Sequence, residues 1–130
     1  MIIRFVLTGF AILVAWTVLD ILLHRLFLRP LYDENPTLWR PFDQLNTPLI
    51  SAVTFILISI FIATYWLLIN PKSLPSGLGF GALLGLALGI GSGGGTYIHM
   101  PIPRKLALGW LAGGWIKGIA AGAILGAILH

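Results

Sequence analysis

The stretch GLGFGALLGLALGIGSG, residues 77–93, decides the fold. Glycine recurs at Gly77, Gly81, Gly85, Gly89 and Gly93, and mostly leucine, isoleucine, alanine and phenylalanine stand between. A spacing of four is close to one α-helical turn, so these glycines form a stripe down one face of a helix. In lipid, where backbone N–H and C=O groups must be bonded within their own segment, such a stripe is a surface for close backbone approach. The spacing returns in GWIKGIAAGAILG, residues 114–126, as Gly114, Gly118, Gly122 and Gly126. The two stretches predict an antiparallel Gly-zipper hairpin held by dispersion and Cα–H···O contacts.

Four apolar runs extend outward from this pair, over about residues 2–28, 49–69, 78–100 and 106–129, each bounded by breaks that contain proline. The shortest run reaches about 31 Å as a helix, enough for a hydrocarbon core of about 30 Å. Nothing alternates as a membrane β-strand would. The expectation is an all-α protein, an integral membrane four-helix bundle forming a single transmembrane domain over residues 1–130, with an interfacial loop at 29–48. The first run is much longer than the apolar core of a signal peptide and no A-x-A site follows it, so it is expected to be a retained helix.

Composition agrees. Hydrophobic residues make up 58% of the 130 and charged residues 9%, against about 45–50% and about 25% in soluble domains. Mean hydropathy is +0.96. The net charge of +4 comes from only eight basic and four acidic residues, which fits loop ends beside lipid headgroups and not a nucleic-acid footprint. There is no cysteine, hence no disulfide, thiolate metal site or thiol nucleophile.

Fifteen of the sixteen glycines lie from Gly77 onward, so the first two spans pack by bulky side chains instead, and the inverted repeats of many transporters are missing. Gly89, Gly91 and Gly94 match G-x-G-x-x-G, but inside an apolar span with no acid after it the match carries no nucleotide chemistry. The run Gly91 to Gly95 predicts a kink or local unwinding.

The loop side carries Arg25, Arg29, Arg40, Arg104 and Lys105, the termini side Arg4 and Lys72. The positive-inside rule therefore places loops 29–48 and 101–105 in the cytoplasm and both termini outside. Residues 29–48 hold four prolines together with Tyr32, Trp39, Arg40 and Phe42, a mixture suited to the headgroup layer, with one short helical turn around Thr37 to Arg40. The same mixture makes this loop the best extramembrane patch for a partner.

Polar residues inside the spans are few: Asp20 and His24 on one face of the first, His99 closing the third, and Lys117 at the middle of the fourth. An unpaired charge at mid-bilayer costs at least about 2.5–3.5 kcal/mol, so acid and base are expected to meet. Counted from the loop ends, Asp20 lies about 12 Å deep and Lys117 about 17 Å, a gap that a lysine side chain bridges. The expectation is an Asp20–Lys117 ion pair, as a staple of helix register or as part of a polar cluster with His24 and His99. Histidine as a residue type takes up and releases protons near physiological pH, so the two histidines would extend such a cluster into a short relay. No third ligand stands at a metal-like spacing, and bis-histidine haem ligation is not indicated, so no metal or cofactor is expected. No serine–histidine–acid pattern, paired carboxylates in a span or H-E-x-x-H supports an enzyme.

Asp20-Ile-Leu-Leu-His24, Pro30-Leu-Tyr32, Leu38-Trp39-Arg40-Pro41, and a glycine-rich hairpin with Tyr97, Pro101-Ile-Pro103 and Leu108-Gly109-Trp110 together cover most of the chain. In these features it resembles small four-span bacterial inner-membrane proteins of unknown function. That resemblance implies architecture and location but no activity. Two readings are open. The preferred one is a non-catalytic accessory or scaffold subunit, packing against a partner or itself as a homo-oligomer or within a larger membrane complex. The alternative is a small transport or lipophilic-ligand-binding bundle built around Asp20, His24, His99 and Lys117. Glycine left bare on an outer face would favour the first, and a polar cavity reaching Lys117 the second.

Overall fold

A computed structural model describes all 130 residues except the side chain of Phe42, so the expectation for that side chain lies outside the described residues. Among them, four helices are long and apolar enough to cross a membrane: α1 (Ile2–Asp33), α2 (Thr47–Leu68), α3 (Leu74–His99) and α4 (Arg104–Ile128). No strand occurs among the described residues. The chain is all-α, with the architecture of a multi-pass membrane protein.

Local chemistry sets the helix starts. Asn46 caps α2 by accepting the Leu49 N–H at 3.0 Å, and Ser73 caps α3 by accepting the Ser76 N–H at 3.2 Å. Both helices carry proline in their first two positions, where its missing N–H is harmless. The Ser73 cap starts α3 at Leu74, four residues before the apolar run that marks the third span in the sequence. α1 likewise passes the expected end at Leu28, because Pro30 falls in the first turn of a fresh α-helical segment, Arg29–Asp33. In the connection to α2 the short turns are 3₁₀, at Pro36–Leu38 and Phe42–Gln44.

Two stretches widen into π-helix, Ile21–Leu28 in α1 and Ile90–Gly94 in α3. The second coincides with the glycine run expected to kink or unwind. The chain stays helical there and only changes its hydrogen-bond register.

α3 and α4 lie backbone against backbone. A Cβ added to Gly85 would stand 2.7 Å from the Gly118 Cα, one on Gly77 2.8 Å from the Gly126 Cα, and one on Gly114 2.9 Å from the Gly89 Cα. No side chain larger than hydrogen fits those positions without separating the helices. α4 offers glycine to α1 as well: an added Cβ would stand 3.3 Å from Leu28 Cδ1 at Gly109 and 3.5 Å from Leu23 Cγ at Gly113.

The apolar core has two parts. Toward the termini, Ile12, Trp16, Ile58, Phe61, Tyr65, Ala121, Leu125 and Leu129 form one cluster, with Trp16 edge-on to Phe61 at 5.3 Å. Toward the connecting loops, Leu28, Ile102, Leu106 and Ala107 form another, covered by Leu38, Trp39 and Trp110. α2 packs through its second half, by Ile58, Phe61 and Tyr65, while Leu49, Ile50 and Val53 in its first half stay exposed. The serine and threonine hydroxyls at Thr8, Thr17, Thr54 and Ser59 bond to carbonyls one turn back, which satisfies them in an apolar setting.

Candidate functional site

Between the two apolar clusters, α1 and α4 bring a line of polar groups together. Lys117 Nζ lies 3.0 Å from Asp20 Oδ1 and donates to Oδ2 at 3.1 Å, so both carboxylate oxygens are engaged. The ammonium also stands 4.9 Å from the centre of the Trp16 ring, a cation–π distance, and Trp16 Nε1 donates to the Lys117 carbonyl at 2.9 Å. Lys117 thus meets α1 through charge, ring and backbone at one level. Gly114 and Gly118 on either side of it in sequence face α3, so α4 presents different chemistry to each neighbour.

The line continues from Asp20 toward the loop. His24 Nε2 is 3.8 Å from Asp20 Oδ1, and His24 Nδ1 is 2.6 Å from Tyr32 Oη, which accepts from Trp110 Nε1 at 2.7 Å. Indole nitrogen can only donate, so the phenol oxygen accepts there and its own hydrogen is free to donate to His24 Nδ1. When the phenol donates there, a neutral imidazole carries its proton on Nε2, 3.8 Å from Asp20 Oδ1, an ion-pair separation longer than a hydrogen bond. In that tautomer the donors along Trp110, Tyr32 and His24 run toward one carboxylate, which Lys117 neutralises from the other side.

Tyr32, Trp39 and Trp110 enclose the loop end of this line. Tyr32 and Trp39 meet edge-on at 5.2 Å, and Trp39 and Trp110 at 5.7 Å. The sequence reading puts both Tyr32 and Trp39 in a headgroup-facing loop. Here they turn inward onto α4, because the α-helical segment after the π-helix carries Tyr32 over His24, with the rings 5.9 Å apart. Arg40 remains exposed, as a loop residue would.

His99 does not join. It is exposed at the end of α3 and lines no part of the recess beside Lys117. The face shared by Ser92, Thr96 and His99 assumes an unbroken 3.6-residue period, and the π-helical turn at Ile90–Gly94 breaks it. One extra residue in a turn rotates the remainder of the helix by on the order of 100°. Trp110 and Tyr32 are hard to recognise as members of the polar line because an aromatic near a helix end reads as an interfacial anchor. The spacing of Tyr32, two turns below His24, is the available signal. Among the described residues no three histidine or acidic side chains gather to hold a metal ion.

Two concavities meet at this line. A recess of about 250 Å³ is lined by Asp20, Leu23, His24, Ser92, Trp110 and Lys117. A groove of about 1130 Å³ runs between α1 and α2, along the stretch of α2 from Ile50 to Ile62. Its far end is apolar, with Phe5, Phe10, Leu13, Phe55, Ile58 and Ile62; its near end carries Asp20, His24, Arg25, Ser51 and Thr54. Asp20 and His24 belong to both concavities.

No protein-family model, curated protein or solved structure matches the chain.

Proposed function

We propose that the protein is a non-catalytic membrane bundle that holds a lipophilic molecule in the groove between α1 and α2. The observation that carries this reading is the groove itself, open along the bundle side, apolar over most of its length and polar at one end. Pockets for small molecules typically measure about 300–1,000 Å³ and pair an apolar lining with a few placed polar groups, and this groove is of that order. The α3–α4 pair, read as a glycine zipper, is the rigid base. The Asp20–Lys117 pair fixes α1 on that base so that the looser α2 sets the groove's width.

A second reading, an accessory or scaffold subunit in a homo-oligomer or larger membrane complex, draws on one observation. Gly91, Gly94 and Gly95 face open space on α3, where another helix could approach. We place the protein in a bacterial inner membrane with both loops cytoplasmic, on the grouping of Arg25, Arg29, Arg40, Arg104 and Lys105 at one end. Since the chain has no cysteine, single cysteines at Asn35 and at Lys72 report the orientation directly through a membrane-impermeant thiol reagent.

Native mass spectrometry after gentle extraction tests the function. A lipophilic molecule carried by the wild type and lost from Thr54→Trp, whose indole would fill the groove, is the expected result. Retention of other protein chains by both forms, with no small molecule on either, overturns it in favour of the subunit reading.

A further inference from the structure

Arg25 lines the polar end of the groove, one residue beyond His24, and is exposed. Among the described residues its guanidinium makes no hydrogen bond and no ion pair, whereas the other charges at this level, Asp20 and Lys117, neutralise each other. One positive charge is thus left uncompensated where the groove is polar. Leu45, from the loop, also lines the groove. From Arg25 the groove climbs past Asp20 and Thr17 to Phe5, and the stretch of α1 from Thr17 to Phe5, which lines it mainly with apolar side chains, is about 18 Å long. A cation at one end of a long apolar trough matches a molecule with an anionic head and a hydrocarbon tail.

We infer that the groove holds a phosphate-bearing membrane lipid, with the phosphate on Arg25 and an acyl chain along Leu13, Phe10 and Phe5. Guanidinium recognises phosphate by paired N–H···O bonds, and the Asp20 carboxylate at the same end is already engaged by Lys117. Arg25 lies about two turns inside the end of α1 at Asp33, so its side chain extends to the depth at which lipid phosphates sit. His24 and Asp20 lie farther in along α1, one and five residues from Arg25. Back-bonded Thr17 and Thr54 leave the walls above them without free hydroxyl hydrogens, which suits hydrocarbon. The inference rests on the groove being a binding site, as proposed above.

The test uses purified full-length protein in a neutral detergent, stripped of lipid and then supplied with phosphatidylglycerol, phosphatidylcholine or diacylglycerol of identical chains, or with inorganic phosphate. Native mass spectrometry counts what each chain retains. The wild type is expected to keep one phospholipid of either kind about tenfold better than diacylglycerol, the ratio that one charge-assisted contact supports. Arg25→Gln is expected to erase that preference while still retaining lipid, and Arg40→Gln, outside the groove, to preserve it. Equal retention of diacylglycerol and phospholipid by the wild type, or a phosphate preference that survives Arg25→Gln, overturns the inference and leaves the groove reading intact. Retention of no lipid that Thr54→Trp removes overturns the groove reading itself. Inorganic phosphate retained as well as phospholipid overturns the assignment to a membrane lipid.

Discussion

Replacing Gly85 and Gly79 by alanine, one at a time, separates backbone contact from helix propensity. The two positions share one helix and one substitution, so the gain of about 1 kcal/mol from placing alanine instead of glycine in a helix is common to both and cancels in their difference. What remains is packing. At Gly79 an added methyl meets nothing within 4 Å, whereas at Gly85 it would stand 2.7 Å from the Gly118 Cα and 2.9 Å from the Gly114 carbonyl oxygen. Carbon atoms rest at about 3.5–4.0 Å, so α3 and α4 must part locally by about 1 Å. No rotamer can relieve a clash of Cβ against backbone. Overpacking of this kind costs about 1–3 kcal/mol, and that is the expected stability gap between the variants, with Gly79→Ala at or above wild type. Unfolding in mixed micelles by titration with dodecyl sulfate, followed through the five tryptophans, measures it. A gap near zero would refute the reasoning, since it would mean that α3 and α4 have a softer contact than their backbones indicate.

Three further expectations concern the polar line and its surroundings. In a double-mutant cycle, Asp20→Asn and Lys117→Met each destabilise the bundle, and the double variant is less damaged than their sum by about 0.5–3 kcal/mol, since each single change strands the other charge; strict additivity in the micelle titration would contradict the pairing. Tyr32→Phe costs about 1–3 kcal/mol because Trp110 Nε1 and His24 Nδ1 both lose a partner, whereas Tyr97→Phe, at an exposed ring, leaves the midpoint unchanged. Equal losses in the two tyrosine variants would count against the line. Arg4 donates to the carbonyls of Ile128 and His130 at the end of α4, so Arg4→Gln weakens that terminus by about 0.3–1 kcal/mol. Hydrogen exchange is expected to quicken in the last turn of α4 and not around Gly118, and unchanged exchange at both would exclude the role.

Much of the architecture is legible in the sequence because lipid leaves few alternatives. Four apolar runs of spanning length can only be helices, and the every-fourth glycines give the faces that α3 and α4 turn to one another. The meeting of Asp20 with Lys117 comes from similar logic, a single acid and a single base in a medium that penalises either alone. His99 shows the limit of face counting: the glycine run that signals a disturbance in α3 does not say that the disturbance is a wide turn, and that turn decides where His99 points. Tyr32 and Trp39 show another. Aromatic residues beside prolines and charges suit both a headgroup belt and a packed cluster, and only the position of Trp110 on α4 separates the two. The groove has no sequence signal at all, because it exists where α2 fails to pack, and leucine or isoleucine facing lipid is indistinguishable from leucine or isoleucine facing a trough.

The apolar cluster toward the termini bears on ion permeation. Asp20 and His24 are reached from the groove, but toward the termini the charged line is backed by Ile12, Trp16, Phe61, Ala121 and Leu125. A hydrated ion passing from Asp20 toward the termini would have to shed its water among these side chains, a barrier of several kcal/mol. An ion that reaches Asp20 from the groove therefore meets a hydrocarbon plug and not a path to the other end of the bundle.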